Sequence, residues 1–269
     1  MSARPSRVGV AGVLTALGAS VLLLFLLLPV GELVARGGHD GLRRLADDAE
    51  LRGALALTAW CATAATVIAF VLGTPLAWVL ARKAFPGRAL VAGALDLPII
   101  IPHPVAGIAL LLVLGRGSPI GDVLVNAGLR VVGSALGIVL AMLFVSASLY
   151  VSAAREAFAR VDRRYESVAQ TLGDTPFRAF RRVTLPLAGR GLLAAAVVTW
   201  ARAVSEFGAI VILVHYPRTV SVLSYDRFTT YGLSEALPVA AALALLALVP
   251  LAVLRALRAR GETEGGGQE

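Results

Sequence analysis

The segment AREAFARVDRRYESVAQTLGDTPFRAFRRVTLPLAGR (residues 154–190) carries eight arginines and separates two long apolar stretches of the chain. Its first half predicts a short amphipathic helix, because apolar side chains recur on one face at helical spacing: Tyr165, Val168, Ala169 and Leu172. Gly173 ends this helix, and Asp174-Thr175-Pro176 resembles the cap of a second one, with an apolar stripe of Phe177, Phe180 and Val183. Such a unit docks in a partner's groove or lies on anionic lipid. Periodicity alone leaves both open.

The chain as a whole is too apolar for an ordinary water-soluble domain. Of its 269 residues, 58% are hydrophobic and 16% are charged, with a mean hydropathy of +0.80. Soluble domains carry about a quarter charged residues. Cys61 is the single cysteine, which excludes an intramolecular disulfide and a cysteine-rich metal site. The net charge of +8 therefore points to cationic loops on one side of a membrane and not to nucleic acid.

The sequence also lacks the motifs of several enzyme classes. The only lysine, Lys83, lies outside any Gly-Lys-Ser/Thr sequence, so the chain has no ATP-binding P-loop. The three histidines are far apart and form no HExxH pair for zinc, and there is no G-x-S-x-G elbow. We therefore expect no catalytic residue, no metal site and no cofactor bound by this chain.

Six apolar stretches are long enough to cross a bilayer, which takes about 20 residues as a helix. They are Val8–Val30, Ala54–Leu80, Leu90–Leu114, Val131–Val151, Gly191–Val214 and Ala236–Leu254. Three prolines, Pro98, Pro102 and Pro104, must break the third span. This predicts three parts: an anchor helix with an external segment (1–53), a core (54–254) containing the loop 155–190, and a disordered tail (255–269). Part of the external segment is compatible with a short surface helix.

The arginines indicate how these spans are oriented. If the N-terminus is cytoplasmic, 16 cationic side chains fall on the inner side and 8 on the outer side. Cytoplasmic loops carry the excess of Lys and Arg in membrane proteins. We therefore expect a multi-pass protein of the cell membrane with both termini in the cytoplasm.

The loop resembles the cytoplasmic "EAA" loop of ABC importer permeases. That pattern has Glu-Ala-Ala, three residues, a glycine, nine residues and then Ile-x-Leu-Pro, and here Gly173 is followed by nine residues and Val183-Thr184-Leu185-Pro186. Ser167, Val168 and Ala169 occupy the Glu-Ala-Ala positions, with Glu166 one residue early. The resemblance implies that the loop couples the permease to an ATPase through Glu166, Ser167, Val168, Ala169, Gly173, Asp174, Val183, Leu185 and Pro186.

Four further stretches are similar to molybdate/tungstate permeases: LPIIIPHPVAGIALLL (97–112), AMLFVSASLYVSAAREAFARVD (141–162), WARAVSEFGAIVILVHYP (200–217) and SYDRFTTYGLSEALPVAAAL (224–243). The resemblance implies an all-α membrane protein with about six transmembrane helices and the type I ABC importer (MetI-like) fold. It also implies a homodimer, an ATPase dimer that binds ATP and Mg, and an extracytoplasmic oxyanion-binding protein. The alternatives are the same machinery for sulfate, thiosulfate or another anion, and a secondary transporter without an ATPase.

Ionisable side chains within the spans are costly unless they are paired or hydrated. Arg202 and Glu206 are four residues apart, so we expect them to share a helix face and to pair. With Ser205, they either border the translocation path or its gate, or form a structural ion pair that also engages Asp96. His103, between two prolines, either contacts an oxyanion or satisfies carbonyls freed by the break.

The segment 216–231 combines charges with aromatic residues on the predicted outer side. It is a candidate docking surface for the binding protein, through Arg218, Asp226, Arg227 and Tyr231. The alternative is an ordinary solvated loop.

Overall fold

The computed structural model describes residues 10–265, and every regular element in that range is a helix. The helices are α1 (Val10–Asp47), α2 (Ala49–Arg82), α3 (Arg88–Ile100), α4 (His103–Leu114), α5 (Pro119–Asn126), α6 (Ala135–Arg160), α7 (Arg163–Thr171), α8 (Pro176–Ala179), a π-helical turn (Phe180–Thr184), α9 (Leu185–Val204), α10 (Gly208–Leu213), α11 (Val220–Tyr231) and α12 (Leu233–Gly265). The predicted all-α fold is confirmed.

Five of the helices or helical segments in the described range are long and apolar enough to cross a membrane. A sixth span results if α3 and α4 are counted together, because they meet at a bend of 115°. The bend lies at Ile101 and Pro102, where the prolines cannot supply the backbone N–H groups of a continuous helix. The predicted break of the third span is therefore confirmed.

The fifth predicted span, Gly191–Val214, is wrong as a single helix. Helix α9 ends at Val204, and α10 starts only at Gly208. The carboxylate of Glu206 accepts the backbone N–H of Ala209 at 2.9 Å and so serves one of the N–H groups that begin α10. Arg202 and Glu206 thus pair across the end of a helix and not along its face.

The two ends of the chain also differ from expectation. Helix α1 continues through the predicted external segment to Asp47, and Asp48 alone joins it to α2. At the other end, α12 continues to Gly265, so residues 255–265 are helical where a disordered tail was predicted. Residues 1–9 and 266–269, which include the start of the first predicted span and the last part of the tail, lie outside the described residues.

The core forms where α2, α6 and α9 pack together, largely through small side chains. Gly73 lies so close to Tyr150 that a Cβ atom there would be 2.7 Å from the ring. Tyr150 is fully buried, and its hydroxyl lies 2.7 Å from the hydroxyl of Thr74. Small residues let helix backbones approach closely, as is usual for helices packed in membranes. The bundle has two ends: the "loop end" holds α7 and α8, and the "far end" holds Asp48 and Arg227.

Helix α1 packs against α12 through two glycines. A Cβ atom would lie 2.7 Å from the carbonyl oxygen of Leu237 if placed on Gly37, and 2.7 Å from that of Pro238 if placed on Gly41. Both obstacles are backbone atoms and cannot rotate away.

We therefore expect Gly41→Val to push α1 away from α12 and to lower the free energy of unfolding by about 1–3 kcal/mol. The matched control is Gly31→Val in the same helix, where a new Cβ meets nothing within 4 Å. Thermal unfolding of the purified protein in detergent measures the difference. Equal melting temperatures for the two variants would contradict the packing argument.

Candidate functional site

The helix–glycine–helix unit predicted from the sequence is present at the loop end. Gly173 has a φ of +97°, which favours glycine, and its N–H donates to the carbonyl of Gln170 at 3.0 Å. The hydroxyl of Thr175 accepts the N–H of Arg178 at 3.3 Å and caps α8. Helix α8 has only four residues before the π-helical turn, so Phe180 and Val183 belong to that turn and not to the predicted second helix.

Four apolar side chains of the loop are exposed, and we call them the apolar loop patch: Tyr165, Val168, Leu172 and Phe177. Leu172 is 83% exposed and Phe177 72%. Tyr165, Val168 and Leu172 recur at helical spacing along α7, and an exposed apolar face of this kind marks an interaction site. Phe177 lines a separate apolar cavity with Trp78 of α2. Around the patch, Ser167 is exposed, Ala169 is half-buried, and Asp174 lies 3.5 Å from Arg182 and 3.7 Å from Arg178.

Glu166 joins the loop to two membrane helices. Its carboxylate lies 3.1 Å from Nε of Arg82, at the end of α2, and accepts the hydroxyl proton of Thr184 at 2.7 Å, just before α9. Arg82 in turn donates from Nη2 to the carbonyl of Val161 at 2.8 Å. The role of Arg82 was not predicted, because nothing in the sequence shows that residue 82 lies next to residue 166.

A second polar cluster lies within the spans, where α3–α4 and α9–α10 are both broken. Arg202 Nη2 lies 2.8 Å from Glu206 and donates to His103 Nε2 at 2.5 Å. Glu206 is 1% exposed, and its backbone carbonyl accepts the hydroxyl proton of Ser221 at 2.8 Å. The predicted pair of Arg202 and Glu206 is confirmed as a contact. Asp96 is exposed and makes no ion pair with Arg202 among the described side chains, so its predicted participation is not observed.

The far end holds an ion-pair network that includes three of the four predicted docking residues. Arg227 lies 2.6 Å from Asp48, and Arg218 lies 2.9 Å from Glu50 and 2.7 Å from Asp226. These contacts tie the start of α2 to α11 and the chain before it. Tyr231, the fourth predicted residue, is exposed. Across residues 10–265 no three His, Cys, Asp or Glu side chains are grouped so as to hold a metal ion.

Comparisons with known proteins cover most of the chain. Residues 73–260 match the model of a family described as "Binding-protein-dependent transport system inner membrane component". The molybdate/tungstate transport system permease protein WtpB of Thermococcus kodakarensis is 43% identical over 199 residues, which is 74% of this chain and 75% of the relative. WtpB of Pyrococcus furiosus is 37% identical over 89% of this chain and 92% of the relative. The sulfate transport system permease protein CysW of Synechocystis is 32% identical over 95% of each chain.

A solved structure shows the same fold. The crystal structure of a bacterial alginate ABC transporter, in complex with an alginate pentasaccharide-bound periplasmic protein, contains a chain that matches with a TM-score of 0.68. The match covers 92% of this chain and 94% of that chain at 18% identity. The predicted type I importer (MetI-like) architecture is confirmed by this likeness.

The far-end network makes a pH-dependent contribution to stability. Burial of the Asp48 carboxylate opposes its ionisation, but hydrogen bonds from Arg227 and from the Leu51 N–H outweigh burial and hold the pKa of Asp48 below its usual value. A carboxyl whose pKa is lowered on folding stabilises the protein above its unfolded pKa of about 3.9, and this contribution is lost as the pH falls through the folded pKa.

We therefore expect the melting temperature of the wild type to fall more than that of Asp48→Asn when the pH is lowered from about 7 to about 3. The excess should be about 2 °C or more. Asparagine keeps the capping oxygen for Leu51 but lacks the charge that pairs with Arg227. Asp40→Asn, at an exposed position of α1, is the control. A parallel decline of the wild type and Asp48→Asn would count against the network.

Proposed function

This chain belongs to the family of binding-protein-dependent transport system inner membrane components, and from that premise we propose that it is the permease subunit of an ATP-driven importer of molybdate and tungstate. The observation that carries the substrate assignment is the 43% identity to a molybdate/tungstate permease, against 32% for a sulfate permease. Sulfate is therefore the less favoured substrate. The chain itself performs no chemistry, and a separate ATPase subunit binds and hydrolyses ATP with Mg.

The proposed assembly is a homodimer of this chain with an ATPase dimer on one side and an extracytoplasmic oxyanion-binding protein on the other. Helix α1 has an apolar surface that a partner within the membrane can cover, because its apolar side chains between Val13 and Val30 are about half exposed or more. Lipid and the second copy of the chain both supply apolar cover for such a surface. The candidate contacts for the binding protein lie at the far end. They are the exposed Tyr231 and the solvent-accessible parts of Arg218, Asp226 and Arg227.

We place the loop end and both termini in the cytoplasm. Arg82, Arg163 and the arginines of the π-helical turn lie together at the loop end, in agreement with the excess of cations expected on that side. The far end, where cations and carboxylates pair with one another, then faces outward.

The apolar loop patch supplies a docking surface for the ATPase. A short amphipathic helix that presents apolar side chains binds in a groove of its partner. Glu166 then transmits motion of the loop, since it contacts Arg82 of α2 and Thr184 beside α9. The coupling loop is completed by eight further residues: Ser167, Val168, Ala169, Gly173, Asp174, Val183, Leu185 and Pro186.

The candidate residues of the translocation path or its gate are Arg202, Ser205, Glu206 and His103. Asp96 is a further candidate, on the exposed face of α3.

Reconstitution tests the function. The permease, with the ATPase and binding protein from neighbouring genes, should accumulate tungstate and molybdate in vesicles only when ATP is supplied. Uptake that persists without the ATPase would favour a secondary transporter, and faster uptake of sulfate than of tungstate would reassign the substrate. Either result would overturn this part of the proposal.

We expect Gly173→Ala to reduce ATP-driven uptake several-fold. An alanine at φ +97° costs about 1–2 kcal/mol and tilts α8 relative to α7. Gly128→Ala is the matched control, because Gly128 has a φ of +80° and also has open space around its Cα, but it lies outside the loop. Uptake and co-purification of the ATPase measure the effect, and equal uptake by the two variants would refute a coupling role.

Glu166→Gln is the second coupling variant. The amide still accepts from Thr184 but loses the charge that attracts Arg82, so ATP hydrolysis should continue while uptake per ATP falls. Glu156→Gln removes a carboxylate from an exposed pair with Arg160 and controls for loss of charge near the loop. If the uptake per ATP of Glu166→Gln matches that of Glu156→Gln, Glu166 does not transmit the motion.

A further inference from the structure

Protein groups occupy part, and not all, of the donor capacity of the Arg202 guanidinium. Its Nη2 atom contacts both Glu206 and His103, whereas Nη1 is 3.4 Å from the hydroxyl of Ser205 and Nε has no partner among the described residues. The side chain is 22% exposed, and Ser205 beside it is exposed. One N–H of Nη1 therefore remains available at an open surface.

Glu206 differs from Arg202 in that all its polar atoms are engaged inside the protein. One carboxylate oxygen accepts from Ala209, the other lies 2.8 Å from Arg202, and the backbone carbonyl accepts from Ser221. A carboxylate that is 1% exposed and has its partners in place is not available to a ligand. Glu206 thus positions Arg202, and His103 holds the same nitrogen from the other broken span.

The backbone around the cluster leaves little room for movement. A Cβ atom on Gly208 would lie 2.8 Å from Cβ of His103, and one on Gly107 would lie 2.8 Å from the carbonyl oxygen of Ala209. The two breaks are therefore packed directly against each other. Such packing fixes the orientation of Arg202 before any ligand arrives, which reduces the ordering cost of binding.

The cluster lies at mid-membrane depth. Trp200, two residues before Arg202, donates its indole N–H at 3.0 Å to Thr63, which is near the middle of the 34-residue helix α2. Broken helices with polar groups at this depth are where transporters bind ions and substrates. A partly exposed arginine there repels cations and attracts anions.

We propose that Nη1 of Arg202 and the hydroxyl of Ser205 form a transient binding site for a tetrahedral oxyanion dianion on its way through the permease. This rests on the proposed function and names the residues that touch the substrate. Both two-point edges of a guanidinium include Nη2, whose hydrogens serve Glu206 and His103, so the anion receives its charge-assisted N–H bond from Nη1. The Ser205 hydroxyl, which now donates to the Arg202 carbonyl at 3.0 Å, turns to donate to a second oxygen of the anion.

Glu206 also keeps this site weak enough for release. An unpaired arginine in a low-dielectric region would hold a dianion strongly, whereas passage requires that an ion leave as readily as it enters. The carboxylate at 2.8 Å cancels much of the arginine charge while leaving its donor geometry intact.

Labelling of Ser205→Cys tests occupancy directly. The native Cys61 is buried, so the introduced thiol is the one accessible to a methanethiosulfonate reagent in the complex with the ATPase. Tungstate and sulfate should each slow labelling several-fold relative to chloride at equal ionic strength, and Arg202→Gln in the same background should abolish this protection. Unchanged labelling rates with tungstate, or protection that persists in Arg202→Gln, would overturn the site.

Measuring transport by variants of Arg202 shows whether this residue contacts the substrate or only holds the helices together. Arg202→Gln should lower tungstate uptake about tenfold or more, and it should also lower the melting temperature because it leaves the buried Glu206 carboxylate without its cation. Arg202→Lys should restore part of the uptake by keeping the charge. The double variant Arg202→Gln/Glu206→Gln should regain melting temperature but not uptake. Arg130→Lys, at an exposed arginine away from the cluster, is the control. If uptake recovers together with the melting temperature in the double variant, Arg202 is only a structural lock.

The wild type serves as the reference for both experiments. If the wild type imports tungstate but the thiol of Ser205→Cys gains no protection from it, the site alone is overturned. If the wild type imports no oxyanion, the proposed function and the site fail together.

Discussion

The centre of this structure depends on the contacts that the buried carboxylate of Glu206 makes with Arg202 and Ala209. Two spans are interrupted at the same depth, and each interruption frees backbone groups that a membrane interior cannot hydrate. Glu206 satisfies the N–H of Ala209 and pairs with Arg202, while its own carbonyl accepts from Ser221. Without these contacts, both the break and the arginine would carry unpaired polar groups in an apolar environment, each costing several kcal/mol.

Glu166 makes a comparable set of contacts at the loop end, but it is more exposed to water than Glu206. It too contacts an arginine and a hydroxyl from different elements, Arg82 and Thr184. Its side chain is 16% exposed, so water remains close and the contact is easier to break. A carboxylate that is nearly inaccessible suits a fixed element, whereas one near water suits a contact that changes during a cycle of transport.

The sequence predicted the features that depend on local chemistry. Prolines removed backbone donors near Pro102, and the third span breaks there. Gly173 with its flanking cap residues produced the loop as expected. The break after Val204 contains no proline, and two of the residues that stabilise it, Ser221 and His103, are distant in sequence, so only the local contact of Glu206 with Ala209 lay within reach of the sequence. The predicted external segment was wrong for a related reason: the missing side chains of Gly37 and Gly41 allow α12, which is distant in sequence, to pack against α1.

The three clusters are connected through a single helix. Helix α2 carries the capping residue Asp48 at its start, Thr63 near its middle and Arg82 at its end, and its 34 residues span about 50 Å at 1.5 Å per residue. Helices move as rigid units more readily than they deform, since packed cores have discrete arrangements. A displacement of Arg82 by the loop must therefore shift the position of Thr63 relative to α9, or break the contact between Thr63 and Trp200. Either change alters the surroundings of Arg202, and this gives the loop end a physical route to the proposed path.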